Sequence, residues 1–215
     1  MNEKELIAKR AAALLQPGWV VNLGIGIPTL IPRFIDADAL CFQTENGLLG
    51  VGPPPEPDRV DPNLVDAGKR PVTERSGAAF FDSATSFAMI RGGHVDAVVL
   101  GALQVDEQGR VANWMMPGEP VLGVGGAMDL MSGARTVIIV MIHNARDGAP
   151  KLLRECSLPL TSLRPVDWVV TELATFRVDE TGLSLVEMAP GISPETVRAR
   201  TAARYWEGAL LGKDR

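Results

Sequence analysis

With 215 residues, 46% of them hydrophobic, the chain can bury a substantial core, and its length fits one domain over residues 1–215. A balance of 26 acidic against 21 basic residues, net charge −5, lacks the basic face of a nucleic-acid binder, although a local pocket can still be cationic. The N-terminus shows no basic and then apolar signal segment, no run reaches the roughly 20 apolar residues of a membrane span, and Cys41 and Cys156 stand outside any C-x-x-C pair, which together predict a reduced, cytoplasmic protein without structural disulfides, metal or membrane partner.

Residues 3–15 place Leu6, Ile7, Ala11, Leu14 and Leu15 on one helical face. Asn2 can cap that helix, Glu5 completes a box-like start, and Pro17-Gly18 stops it. Residues 19–23 read as a strand. Gly24-Ile25-Gly26-Ile27-Pro28 turns the chain, and Pro28 suits the first position of a helix running to about Ile35. Residues 40–43 form a second strand that closes on Thr44-Glu45-Asn46-Gly47. Residues 50–70 carry Pro53, Pro54, Pro55, Pro57 and Pro62, so they are neither regular helix nor central strand; a segment of this length reads as a structured, functional loop.

Residues 96–105 read as one apolar strand, followed by a hairpin turn at Asp106-Glu107-Gln108-Gly109. Residues 136–141 form a continuous apolar, largely β-branched run, the mark of a buried central strand. Further strands fall at 168–171, 176–178 and 183–186, the last two joined by Asp179-Glu180-Thr181-Gly182. Ser193 caps a final helix with Pro194 in its first position, and the tail from Glu207 reads as frayed. The pattern predicts an α/β fold: an open, mixed, mainly parallel sheet flanked by helices. Ligands in such sheets sit outside the carboxyl ends of strands.

Three turns could carry chemistry. The pair Gly24 and Gly26 fits either a tight turn or a dinucleotide site with Glu45 as the ribose-binding acid about 20 residues on; Thr29 at the third glycine and Pro28 at the helix start speak against the second. Glu45, directly after a strand, fits either a nucleophilic carboxylate or a turn cap. The glycine-rich run through Gly125, Gly126, Ala127 and Met128 fits either an oxyanion hole or a tight strand-to-helix turn. His94 and His143 are too far apart in sequence to suggest a metal site and read as structural hydrogen-bonders. Both cysteines read as core.

Asn22-Leu23-Gly24-Ile25-Gly26-Ile27-Pro28 and Thr44-Glu45-Asn46-Gly47 resemble the N-L-G-I-G-x-P and S-E-N-G segments of the family I CoA-transferases. So do Asp66-Ala67-Gly68-Lys69, the run from Ser86 to His94, Ala112-Asn113-Trp114, the run from Gly125 to Leu130, and Leu158-Pro159-Leu160-Thr161, all in order from about residue 5 to 200. Within that family the chain resembles the glutamate-bearing beta (B) half of 3-oxoacid CoA-transferases of the succinyl-CoA:3-ketoacid type.

The resemblance implies a CoA-transferase-like fold and transfer of coenzyme A between succinyl-CoA or acetyl-CoA and a 3-oxoacid such as acetoacetate. It assigns Glu45 as the nucleophile that passes through a covalent CoA thioester. Gly126 and Ala127 would lie near the thioester oxygen, and Asn22 and Lys69 would contact substrate or CoA. It implies no cofactor, since coenzyme A is a substrate, and a homologous CoA-transferase partner, the alpha (A) half, in a heterodimer or α2β2 heterotetramer. The alternatives are 3-oxoadipate as the acid, a dinucleotide-dependent oxidoreductase, and a non-catalytic binding protein. Thr44 departs from the family's Ser, Asp66 from a common Asn, and Glu119 from a frequent Lys.

Overall fold

The Asn2 side chain accepts from the Glu5 N–H and the Glu5 carboxylate from the Asn2 N–H, both at 3.0 Å, closing the capping box that opens α1 (Glu3–Ala12). The helix ends short of residue 15, and Leu14 and Leu15 pack into the core from the turn that follows. The structure, a computed structural model, describes residues 1–118 and 125–207.

After β1 (Val20–Leu23) the chain enters the helix predicted from Pro28, but as a 3-10 helix, Ile27–Phe34. Pro32, inside the segment, lacks the N–H that an α-helical ladder would use there. A hairpin of β2 (Cys41–Thr44) and β3 (Leu48–Val51) follows. The proline-rich loop then holds a short 3-10 turn, Pro57–Arg59, before β4 (Glu74–Phe80). Asp82 accepts from the Thr85 N–H at 2.7 Å and caps α2 (Ser83–Arg91).

The single strand read over 96–105 is two strands: β5 (Ala97–Gly101) and β6 (Gln104–Asp106), which belong to different sheets. The chain leaves the first sheet because the Leu103 N–H turns to the Ala112 carbonyl at 3.0 Å, while Asn113 Nδ2 takes the Gly101 carbonyl at 3.1 Å. β6 pairs with β7 (Val111–Ala112) through the expected hairpin. There the Asp106 carboxylate accepts from the Gln108 and Arg110 N–H groups at 3.0 and 2.9 Å.

The remaining elements are α3 (Ala127–Gly133), β8 (Thr136–Val140), β9 (Leu152–Leu153), β10 (Trp168–Val170), β11 (Ala174–Asp179), β12 (Gly182–Met188), α4 (Pro194–Arg200) and β13 (Tyr205–Glu207). Ser193 caps α4 as its sequence predicts. Glu207, read as the start of a frayed tail, belongs to β13; residues 208–215 lie outside the described residues.

Among the described residues the larger sheet runs β13-β12-β11-β10-β8-β5-β1-β2-β3-β4, and β7-β6-β9 form a small second one. Strands β2, β1, β5, β8 and β10 are mutually parallel, with antiparallel arms at both ends. Successive side chains of a strand face opposite sides, so the sheet separates two cores. Val21, Phe42, Val99 and Ile138 meet α1 on one side, while Val98, Leu100, Val137 and Ile139 meet Ile90 of α2 and Leu130 of α3 on the other.

The chain leaves β1 toward β2 on one side and later returns to β5 on the other. That reversal opens a crevice beyond the carboxyl ends of these strands.

His143 is fully buried, with Nδ1 3.0 Å from Thr171 Oγ1 and Nε2 2.9 Å from Thr201 Oγ1. It ties the end of β10 to the end of α4, and burial pushes its pKa down to about 4. It is a structural hydrogen-bonder, as its isolation in the sequence suggests. Among the described residues no helix is long and apolar enough to cross a membrane, and no group of three or more His, Cys, Asp and Glu is placed to hold a metal ion.

Candidate active site

A cavity of about 430 Å³ opens beyond the carboxyl ends of β1, β2 and β5. Its wall takes Gly24 from beyond β1, Glu45 from beyond β2, and Gly101 from the end of β5. Asn22 also faces it, and the α3 end of the glycine-rich run contributes Gly125, Gly126 and Ala127. A larger hollow, about 940 Å³, lies beside the turn after β11. Its Arg204 and Arg198 are already paired with Glu107 and Glu207, so the smaller cavity is the better reaction site.

Glu45 stands in a three-residue connection, Glu45-Asn46-Gly47, between paired residues Thr44 and Leu48. The connection closes through the Gly47 N–H on the Thr44 carbonyl at 3.1 Å, with Gly47 at φ +120°. Asn46 Nδ2 reaches the Val65 carbonyl at 2.9 Å and ties the turn to the proline-rich loop. The Glu45 carboxylate is half-buried and meets a side chain of the neighbouring strand: Asn22 Nδ2 lies 3.5 Å from Oε2. The same Asn22 amide donates to Gln43 Oε1 at 2.7 Å, and Gln43 Nε2 donates to Ser86 Oγ on α2 at 2.9 Å.

Gly126 precedes α3 and lies between the Glu45 side chain and the Phe87 ring. An ion pair of 2.8 Å between Arg91 and Asp129 joins α2 to α3. Gly126 and Ala127, at the start of α3, are part of this wall. On the opposite wall Asn113 donates to the Gly101 carbonyl and accepts from Thr161 Oγ1 at 2.7 Å.

The residues singled out in the sequence divide accordingly. Asn22, Gly24, Glu45, Gly125, Gly126 and Ala127 share the cavity wall, whereas Gly26, Met128 and Lys69 are not among its lining residues. Gly24 does not offer its N–H outward: that group donates to the Val99 carbonyl at 2.8 Å, and a methyl on Gly24 would stand 3.0 Å from Leu100 Cδ2. Its glycine permits close strand packing. Lys69 is exposed, at φ +60°, in a turn fastened by Arg70 on Asp66. Its neighbour Ala67 is the part of that loop in the wall. Glu119 lies outside the described residues.

Sequence reasoning missed Gln43 and Ser86. The available signal was two amides, Asn22 and Gln43, inside otherwise apolar strand runs. The cysteines, read as core, are only half-buried and lie outside the cavity wall; burial raises the Cys41 thiol and pushes that of Cys156 up to about 12.

Comparison with known proteins gives a consistent result. Residues 4–200 match the family described as Coenzyme A transferase. The chain is 50% identical over 216 residues to the beta chain of the acetate CoA-transferase of Escherichia coli K12, covering 100% of this chain and 99% of the relative. It is 46% identical to the B-type chain of the succinyl-CoA:3-ketoacid coenzyme A transferase of Helicobacter pylori 26695, over 94% and 98% of the two chains. Among solved structures it resembles an acyl-CoA transferase of Escherichia coli O157:H7 with a TM-score of 0.79 at 24% identity, a fold likeness that covers 98% of this chain but 42% of that one. The chain belongs to the coenzyme A transferase family, whose chemistry is the movement of coenzyme A between an acyl-CoA and a carboxylate.

Proposed function

We propose that this chain is the glutamate-bearing half of a CoA-transferase that exchanges coenzyme A between a short-chain acyl-CoA, acetyl-CoA or succinyl-CoA, and a 3-oxoacid such as acetoacetate. Glu45 is the nucleophile. The observation that carries this reading is the placement of one half-buried carboxylate at the strand-end cavity, touched by the Asn22 amide and faced by Gly126.

The Glu45 carboxylate attacks the thioester carbonyl carbon, the C–S bond breaks, and CoA thiolate leaves a mixed anhydride behind. The thiolate then attacks the glutamyl carbonyl carbon, releasing the first acid and forming a glutamyl–CoA thioester. The acceptor carboxylate runs the same steps in reverse and frees Glu45. A carboxylate suits the task because it matches donor and acceptor acids in leaving ability, so the thioester energy passes on without ATP. Asn22 and Lys69 are assigned to contact substrate or CoA. The N–H groups around Gly126 and Ala127 are assigned to the oxyanion. Both intermediates must be kept from water.

A second, homologous chain completes the enzyme. The relatives in Escherichia coli and Helicobacter pylori are named as the beta and B members of their enzymes, which supports this, as does the 42% coverage of the longer solved chain.

The test uses the enzyme reconstituted from both chains. Borohydride added with an acyl-CoA should reduce the loaded enzyme at Glu45 and inactivate it, while sparing the free enzyme. Glu45→Gln should abolish turnover while keeping the fold and the partner. Glu45→Asp, which withdraws the carboxylate by about 1.5 Å, should also fail. A label on another residue, or full turnover by Glu45→Gln, overturns the assignment.

A further inference from the structure

Asn22 and Gln43 are register partners on parallel strands β1 and β2, and with Ser86 of α2 they are at most 1% exposed. They lie on the sheet face that otherwise buries Val98, Leu100 and Ile139. Burying two amides and a hydroxyl in such a core is unfavourable unless they pair. The sheet's own hydrogen bonds do not require these side chains, since backbone groups form the ladder. They join into a single line that ends at Glu45: Asn22 Nδ2 to Glu45 Oε2 at 3.5 Å, Asn22 Nδ2 to Gln43 Oε1 at 2.7 Å, and Gln43 Nε2 to Ser86 Oγ at 2.9 Å.

Chemistry fixes the direction of this line. An ionised carboxylate accepts only, so Asn22 must turn its NH2 group toward Glu45. That same NH2 faces Gln43, so Gln43 must present its oxygen there. Its own NH2 then points the other way, to the Ser86 hydroxyl. Neither amide can flip without setting acceptor against acceptor or donor against donor. Asn22 Oδ1 is left buried without a partner among the described residues, which is unfavourable for a residue that only fills space.

We infer that Gln43 and Ser86 are positioning residues that lock the Asn22 amide so that its N–H stays on Glu45 Oε2 through the reaction. This rests on the reading of Glu45 as nucleophile. In this chain the contact is long, 3.5 Å. When CoA thiolate or the acceptor carboxylate attacks the glutamyl carbonyl, negative charge builds on the glutamyl oxygen, and a donor held on that side becomes a stronger contact. An interaction that tightens only in the transition state speeds the chemical step without tightening substrate binding. Gln43 touches neither substrate nor the reacting carbon in this scheme; it acts through Asn22.

The experiment compares Gln43→Met, Ser86→Ala and the double variant in the enzyme reconstituted from both chains. It measures kcat, KM for acyl-CoA, the rate at which borohydride-trappable glutamyl label appears, and thermal melting. Gln43→Met should lower kcat and the labelling rate by about tenfold or more, with KM changed less than about twofold. Ser86→Ala should lower kcat by a smaller factor and add nothing in the Gln43→Met background, because the orientation it secures is already lost. Losses that multiply, or labelling at the wild-type rate in Gln43→Met, overturn the proposal. If Gln43→Met fails to fold, Ser86→Ala decides alone: reduced kcat at unchanged KM supports positioning, and unchanged kcat overturns it. Absence of label on Glu45 in the wild type removes the nucleophile reading, whereas label on Glu45 with wild-type kinetics in the variants removes only the positioning.

Discussion

Gly126 and Glu45 stand so close that a methyl group on the Gly126 α-carbon would lie 3.3 Å from Glu45 Cγ and equally near two carbons of the Phe87 ring. Phe87 of α2 is packed against the core and cannot withdraw freely, so the Glu45 side chain would have to give way by a few tenths of an ångström. Attack geometry is sensitive to such a shift. Gly126→Ala should therefore lower kcat by about tenfold to a hundredfold, with melting little changed. Steady-state kinetics beside a melting curve check this; an unchanged kcat would mean that Glu45 needs no clearance on that side.

Gly47 is required for a different reason. At φ +120°, a side chain there is strained, and its first carbon would sit 2.0 Å from the Phe81 carbonyl oxygen. The Phe81 N–H also closes back on the Gly47 carbonyl at 3.0 Å, so retreat would break that bond. Gly47→Ala should destabilise the fold by about 3 kcal/mol, read from urea unfolding. A loss below about 0.5 kcal/mol, the range of ordinary surface changes, would contradict the geometry.

His143 sets a pH dependence. Its pKa falls from 6.5 to about 4 on folding, chiefly by burial, with the charges of Arg200 and Lys151 acting the same way. Above pH 6.5 the imidazole is neutral in both states and its contribution is complete. Below that, the unfolded chain takes a proton that the folded chain refuses, so stability falls as pH drops from 6.5 toward 4, by about 3 kcal/mol in all. Burial raises the Glu172 carboxyl, which accepts from the His143 backbone N–H, and this group titrates with the opposite sign. The comparison is therefore between wild type and His143→Gln: unfolding free energies from about pH 4 to 7 should lose this share of their slope in the variant, and parallel curves would refute it.

Lys69 allows a clean separation of charge from backbone. Because it sits at φ +60°, Lys69→Gly keeps the turn and removes the ammonium. If Lys69 contacts CoA or the acid, KM for one of them should rise by about threefold to tenfold with little change in melting. Unchanged Michaelis constants would limit Lys69 to the turn.

The parts of the fold most legible in the sequence were those with strong local chemistry. Asn2 and Glu5 announced α1, Ser193 and Pro194 announced α4, and the apolar run at 136–141 announced the central β8. The break between β5 and β6 was hidden because Gly101-Ala102-Leu103 carries no proline, and tertiary bonds to Ala112 and Asn113 make the bend. β4 escaped notice because it is a largely exposed edge strand without apolar alternation. In the candidate site, Glu45 and Gly126 stood in recognisable segments, and the structure brings them to one cavity. Gln43 and Ser86 are 43 residues apart, and only the packing of α2 on the sheet joins them. Gly24 was read from its turn and Lys69 from resemblance alone; one spends its N–H on the sheet and the other sits outside the wall.

The short link from Thr44 to Leu48 also limits how the chain can vary in length. Thr44 faces Leu48 and Gln43 faces Leu49 across the hairpin, and a slip of one residue would turn the buried Leu48 toward the opposite face. A single inserted residue between 44 and 48 would thus either rebuild the turn that carries Glu45 or, if the strands slipped instead, misregister β3. Within the loop over residues 52–73, which joins β3 to β4, Val65 holds Asn46 and Ala67 lines the cavity, so length differences between homologous chains should collect around the exposed Pro57–Arg59 turn rather than there or in the turn that carries the carboxylate.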